Sequence, residues 1–118
     1  MKKISKLDEY LFDLNGYLII NNALNKKELK DLNNILDKLK NIKNDEWAGY
    51  VHGHNYGGKE GLNLQQIYEA GKPFEKLIDH PSWINHMLHF VGGKGTFDHL
   101  HGPLFIDENF ANIRGPGE

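Results

Sequence analysis

The chain has 118 residues, 39% of them hydrophobic, with a formal net charge of −2 and no cysteine. Such a length supports one core that hides about two-thirds of the surface an unfolded chain exposes, and the missing cysteines exclude disulfides, thiolate metal sites and a cysteine nucleophile. The 14 lysines and arginines are spread along the sequence, with a local enrichment only from Lys26 to Lys43; no apolar run reaches the roughly 20 residues of a membrane span, and the start Met1-Lys2-Lys3-Ile4-Ser5-Lys6 has no apolar signal-peptide core, so a cytoplasmic protein that engages neither nucleic acid nor membrane is expected.

In chain order, Leu7, Tyr10, Leu11 and Leu14 recur at helical spacing after Ser5, and Asn15-Gly16 supplies the stop, since glycine tolerates a left-handed backbone. Tyr17-Leu18-Ile19-Ile20 is a short apolar run between turn residues and predicts a buried strand. The next helix is the clearest. Asn25 stands at its cap, Glu28 at its third position, and Leu29, Leu32, Ile35, Leu36, Leu39 and Ile42 form one apolar stripe opposite the lysines and aspartates.

From Asn44 to Gly61 the periodicity breaks: Gly49, Gly53, Gly57 and Gly58 alternate with Trp47, Tyr50, His52, His54 and Tyr56, and a long loop is expected. An extended run holding Asn63 leads to renewed helical spacing at Leu64, Ile67 and Tyr68, then to Pro73 in a first helical turn followed by Phe74, Leu77 and Ile78. A further helix lies between His80-Pro81-Ser82 and Gly92-Gly93, with Trp83, Ile84, Met87, Leu88 and Val91 on a face expected to enter the core. The remainder turns through residues 98–103 into a terminal segment, Phe105 to Glu118, that reads as a strand running into a turn. A strand at a terminus needs partners for its backbone groups, so a fragment of a longer domain is expected.

Two His-x-His pairs, His52-Gly53-His54 and His99-Leu100-His101, carry the most chemistry. In an extended segment residues two apart share a face, so both imidazoles of a pair reach toward one ion. Completing a site requires that the pairs meet or that Asp98 or Asp107 joins them; otherwise these histidines make ordinary hydrogen bonds. His80, His86 and His89 are expected to cover a helix surface. Gly57-Gly58-Lys59 and Gly92-Gly93-Lys94-Gly95-Thr96 lack the strand-loop-helix context of a phosphate loop. Ser5 and Ser82, the only serines, suit helix caps, and no serine triad is indicated. Asp107 and Glu108 are adjacent, hence on opposite faces of a strand, and do not form an acid/base pair.

Three segments in order resemble the phytanoyl-CoA dioxygenase family: Phe12 to Ile20 with Ala23-Leu24-Asn25 and the helix of Glu28, Leu29 and Leu32; then Phe74, Leu77, Ile78, His80-Pro81, Ile84 and Leu88 up to Gly92-Gly93; and finally Phe105 to Gly117. The resemblance implies an α+β fold in which helices pack on the first strands of a double-stranded β-helix of the jelly-roll or cupin kind. Residues 1–118 would form the N-terminal part of a single such domain. It implies an oxidoreductase that uses Fe(II) and 2-oxoglutarate to hydroxylate a small organic or acyl substrate, with two histidines and one carboxylate on the iron.

That iron motif follows the strand and Pro/Gly turn found here at residues 105–117, so the resemblance assigns no catalytic or metal residue to this chain, and residues 1–118 alone are expected to be inactive. Asn112 and Arg114 share one strand face by alternation; with Asn63 they are the expected co-substrate contacts. Two alternatives stand beside this reading. One is a small non-catalytic ligand- or metal-binding domain using the His-x-His pairs, with His99 and His101 as metal ligands. The other is an interaction helper whose partner adds a strand to the terminal one.

Overall fold

A computed structural model describes residues 3–55, 61–92 and 102–116. Two compact units are distinguished, residues 1–25 with 79–105, and residues 26–78 with 106–118. Helices accompany one four-stranded antiparallel sheet, an α+β arrangement. No helix among the described residues is long and apolar enough to cross a membrane.

In the first unit, α1 (Lys6–Asn15) starts at Ser5, whose hydroxyl accepts the Asp8 N–H at 3.1 Å while the Asp8 carboxylate accepts the Ser5 N–H at 2.8 Å. This reciprocal pair satisfies two amides that the first helical turn leaves without partners. Gly16 ends the helix with φ 74° and donates to the Phe12 carbonyl at 2.8 Å. The expected apolar stripe is not the inward face: Leu7, Tyr10 and Leu14 are exposed, and Phe12 makes the packing contact, stacked 4.1 Å from Phe90. Phe90 closes α4 (Ile84–Phe90), and Glu9 pairs with His89 at 3.0 Å beside that stack.

Tyr17 to Ile20 forms no strand. Four apolar residues satisfy a strand pattern, but a strand requires a neighbour for its amides, and the sheet is built in the other unit. The segment is instead followed by a tie in which the Ser82 hydroxyl donates to the Ala23 carbonyl at 2.7 Å. Of the face expected to enter the core, Trp83 and Ile84 are half-buried, but Met87, Leu88 and Val91 are exposed, whereas His86 is buried. His80, stacked on Trp83 at 4.4 Å, is buried too. The histidines expected at the surface therefore include two interior ones.

In the second unit, α2 (Lys26–Leu39) begins directly after Asn25 and has Glu28 in its first turn. Leu32 is buried, Ile35, Leu36, Leu39 and Ile42 are half-buried, and only Leu29 of the stripe is exposed. The strands are β1 (Trp47–Ala48), β2 (Val51–His54), β3 (Leu62–Gln65) and β4 (Phe110–Ile113), in spatial order β1-β2-β3-β4. Gln66, with φ 57°, ends β3 and opens a short 3-10 turn over Ile67–Ala70, and α3 (Lys72–Glu75) follows with its proline in the first turn. The helical spacing of Leu64, Ile67 and Tyr68 is thus divided between a strand and that turn. The terminal strand is confined to β4.

The expected loop at residues 44–61 contains a hairpin. Ala48 pairs with Val51, so Gly49 and Tyr50 form a two-residue turn, and Gly49 at φ 62° occupies the position where such turns take a left-handed residue. Before β1, Asp45 donates its N–H to the Gly53 carbonyl at 2.8 Å, and the Gly53 N–H donates to the Glu46 carbonyl at 2.9 Å. Two residues therefore face one, a bulge whose first residue, Asp45, is left-handed at φ 63°. A Cβ on Gly53 would meet the Ile42 Cγ2 at 2.5 Å and the Lys43 carbonyl oxygen at 2.6 Å. Only glycine fits.

Opposite residues of an antiparallel ladder share a face. Val51, Gly53, Leu64, Leu62, Ala111 and Ile113 form the apolar one. Its centre, Val51 and Leu64, is fully buried, and Ile67, Phe74 and Leu32 complete the core. Gly53→Ala is expected to lower the unfolding free energy by about 1–3 kcal/mol through overpacking, and Leu64→Ala by about 2–5 kcal/mol through the cavity it leaves. Urea unfolding measures both; a Gly53→Ala protein of unchanged midpoint would mean that residues 42–46 do not lie against β2.

Candidate functional site

The other face of the sheet is polar. Cross-strand register gives it two rows, Trp47–His52–Gln65–Phe110 and His54–Asn63–Asn112. Every member of the second row is polar, and Arg114 extends beyond it past the end of β4. A sheet covered by helices on one side and solvated on the other has this alternation. Here, however, the positions of this face hold amides, imidazoles and aromatic rings instead of the lysines and glutamates that cover α2, and Asn63 among them is buried.

The three expected co-substrate contacts come together. Asn63 and Asn112 are directly opposed on β3 and β4, and the Asn112 amide donates to Asn63 Oδ1 at 2.7 Å. The Arg114 Nε–H donates in turn to Asn112 Oδ1. Asn63, buried to 7% exposure, anchors the series from within the sheet; Arg114 ends it in solvent. Because the Asn112 amide accepts from Arg114 at its oxygen and donates to Asn63 from its nitrogen, the two bonds run head to tail through it, an arrangement in which each polarises the other. Asn112 and Arg114 do share a face, as strand alternation requires.

His52 and His54 both lie on the polar face because Val51 and Gly53 are turned to the core. Trp47 stacks on His52 at 4.5 Å, and the two imidazoles are 5.9 Å apart, centroid to centroid. His52 Nδ1 is 3.2 Å from Gln65 Oε1. The carboxylate beside the pair is Asp45, whose Oδ1 is 3.7 Å from His52 Nε2 and 3.9 Å from His54 Nδ1. The expected carboxylates were different: Asp98 lies outside the described residues, as do His99 and His101, and Asp107 is exposed in the segment before β4. Among the described residues no group of three or more His, Cys, Asp or Glu side chains is assembled as a metal cage.

A shallow cavity of about 220 Å³ lies at the Phe110 end of the first row, lined by Gln65, Gln66, Glu108, Asn109 and Phe110. Asn109 secures its floor by accepting the Gln66 N–H at 2.9 Å through its carbonyl and the Tyr68 N–H at 3.1 Å through its side chain. Neither Asp45 nor Gln65 was marked by a motif. The available signal was the alternation Val51, His52, Gly53, His54, which has the period of a strand and turns both histidines one way.

No protein-family model, no curated protein and no solved structure matches the chain. The amide series makes a thermodynamic prediction of its own. In a double-mutant cycle with Asn63→Ala and Asn112→Ala, read by urea unfolding, the coupling is expected at about 0.5–1.5 kcal/mol, the net worth of one neutral hydrogen bond. Strict additivity would mean that the two side chains do not engage.

Proposed function

We propose that this chain is the N-terminal part of an iron- and 2-oxoglutarate-dependent oxygenase of the phytanoyl-CoA dioxygenase kind, and that Asn63, Asn112 and Arg114 bind the co-substrate. The observation that carries this reading is the hydrogen-bonded series on the open sheet face, which ends in a guanidinium. Three segments in the family's order support it from the sequence, and so does an antiparallel sheet with helical elements against its apolar side. The sheet would then contribute the first strands of a double-stranded β-helix.

The residues fit a dicarboxylate. A guanidinium offers paired N–H donors in the geometry of a carboxylate. The Arg114 Nε–H is held by Asn112, so the plane of the fork is set while the two terminal nitrogens make no hydrogen bond among the described residues. Orienting the fork in advance reduces the ordering cost of binding. The cavity beside Phe110 suits an anion less well, because the Glu108 carboxylate lines it. Iron is a different matter: the family's motif maps to no position in these 118 residues, no described trio is assembled as a cage, and no step through the metal is assigned here. Together, iron and 2-oxoglutarate supply the oxidising power for hydroxylating an unactivated carbon. Residues of this chain would hold the co-substrate's carboxylate and form one wall of the cleft.

The test is a titration of the 118-residue chain with 2-oxoglutarate, followed by NMR of the Asn63 and Asn112 side-chain amides and the Arg114 Nε–H. Saturable shifts at these three groups are expected, with binding weakened roughly 10-fold in Arg114→Ala, the loss of one charge-assisted contact. Shifts absent from all three groups, or an affinity indifferent to Arg114→Ala, would sink the assignment.

A further inference from the structure

We propose that the cavity at the Phe110 end of the polar face binds one ring of a neutral sugar, with Phe110 against the ring and Glu108, Gln66 and Asn109 on its hydroxyls. The inference goes beyond the oxygenase reading and does not rest on it.

The cavity is built at the corner where β3 ends and β4 begins. Gln65, the last residue of β3, pairs with Phe110, the first of β4, and both lie on the polar face. Beyond them the two segments stay bound: the Gln66 N–H donates to the Asn109 carbonyl at 2.9 Å, and Asn109 Oδ1 accepts the Tyr68 N–H at 3.1 Å. On the other side, Gln65 Oε1 lies 3.2 Å from His52 Nδ1, which fixes that amide. The walls are therefore set before a ligand arrives, and little freedom is lost on binding. A volume of about 220 Å³ equals roughly seven water molecules at about 30 Å³ each, and it lies below the roughly 300–1,000 Å³ of sites that take drug-sized molecules. It is the scale of a single six-membered ring.

The polar groups of the lining decide the chemical class. Among the described residues, the Glu108 carboxylate, the Gln66 side-chain amide and Asn109 Nδ2 make no hydrogen bond. The first only accepts, the second accepts and donates, and the third only donates. An anion would meet the Glu108 charge. A cation would pair with Glu108 but face the amide N–H groups of Gln66 and Asn109. Adjacent hydroxyls on a neutral molecule satisfy all three groups, because each hydroxyl both donates and accepts. The fourth wall is Phe110, an aromatic ring left 55% exposed beside these polar groups. One face of a pyranose presents C–H bonds of slight positive polarity, which suit the negative face of an aromatic ring. A molecule with an apolar face and a hydroxylated rim thus matches both halves of the lining.

The experiment is an NMR titration of the 118-residue chain with the methyl β-pyranosides of glucose, galactose and mannose, and separately with tetramethylammonium and acetate. At least one sugar is expected to shift the Gln66 and Asn109 side-chain amides and the Phe110 ring protons saturably. The dissociation constant should be about 1–10 mM, because each hydroxyl exchanges water for protein at small net gain. Phe110→Leu keeps apolar bulk without the ring, and Glu108→Gln keeps size without the charge. Each should weaken sugar binding about 10-fold and leave the circular dichroism unchanged. Arg114→Ala should leave it intact, which separates this site from the co-substrate contacts. No saturable shift with any of the three sugars, tighter saturation of the same groups by tetramethylammonium or acetate, or a sugar affinity indifferent to both Phe110→Leu and Glu108→Gln would each overturn the proposal.

Discussion

The contact on which the sheet unit depends is the approach of residues 42–46 to Gly53. A peptide carbonyl and an isoleucine methyl occupy the space where any other residue would hold its Cβ, so the strand lies closer to the preceding segment than side chains normally allow. Two backbone hydrogen bonds, at 2.8 and 2.9 Å, hold it there. From this one contact follow the alternation of β2, the burial of Val51, the pairing of Gly53 with Leu64 and the orientation of both histidines outward. The side-chain period of a strand is two, so a slip of one residue would exchange core and polar faces throughout. A glycine that admits no substituent resists such a slip at the centre of the sheet.

With the core face settled in this way, the polar face is free to specialise. Its two rows differ in kind. The amide row is internally bonded from the buried Asn63 through the exposed Asn112 to Arg114, so its geometry is fixed before any ligand arrives. The histidine row is held at one end by stacking on Trp47 and at the other by Gln65, with an exposed carboxylate beside it. Pre-set donors suit recognition of a shaped anion, because little freedom is lost on binding.

What the sequence discloses and what it conceals divide along physical lines. Both long helices are legible because their signals are local: the Ser5 cap, the Gly16 stop and the α2 stripe each lie within a few residues. That Asn112 and Arg114 share a face is also legible, through strand alternation, yet the hydrogen bond that ties Asn112 to Asn63 joins positions 49 residues apart and no local rule foretells it. The hairpin over Trp47–His54 was hidden by its own devices. Glycines at a tight turn and at a close approach look, in sequence, like a flexible loop. Tyr17–Ile20 fails the other way, since its apolar pattern is correct for a strand but no strand among the described residues pairs with it. On α4 the helical spacing of Met87, Leu88 and Val91 named an inward face, whereas the buried positions there belong to His86 and the half-buried Phe90. Hydropathy does not weigh an imidazole that packs among rings, as His86 does, tilted beside Phe90 at 6.5 Å.

The charges on the polar face lie too far apart to govern one another. Asp45 leads into β1 and Arg114 follows β4, three strand spacings apart, or about 14 Å. At that separation two unit charges in water interact by about 0.3 kcal/mol, and physiological salt reduces this further. Communication across the face would need a mechanical route, and the register supplies one: His54 faces Asn63 directly across β2 and β3, and Asn63 is the buried anchor of the amide series. A rotation of His54 would change the packing against Asn63, and through it the acceptor that holds Asn112.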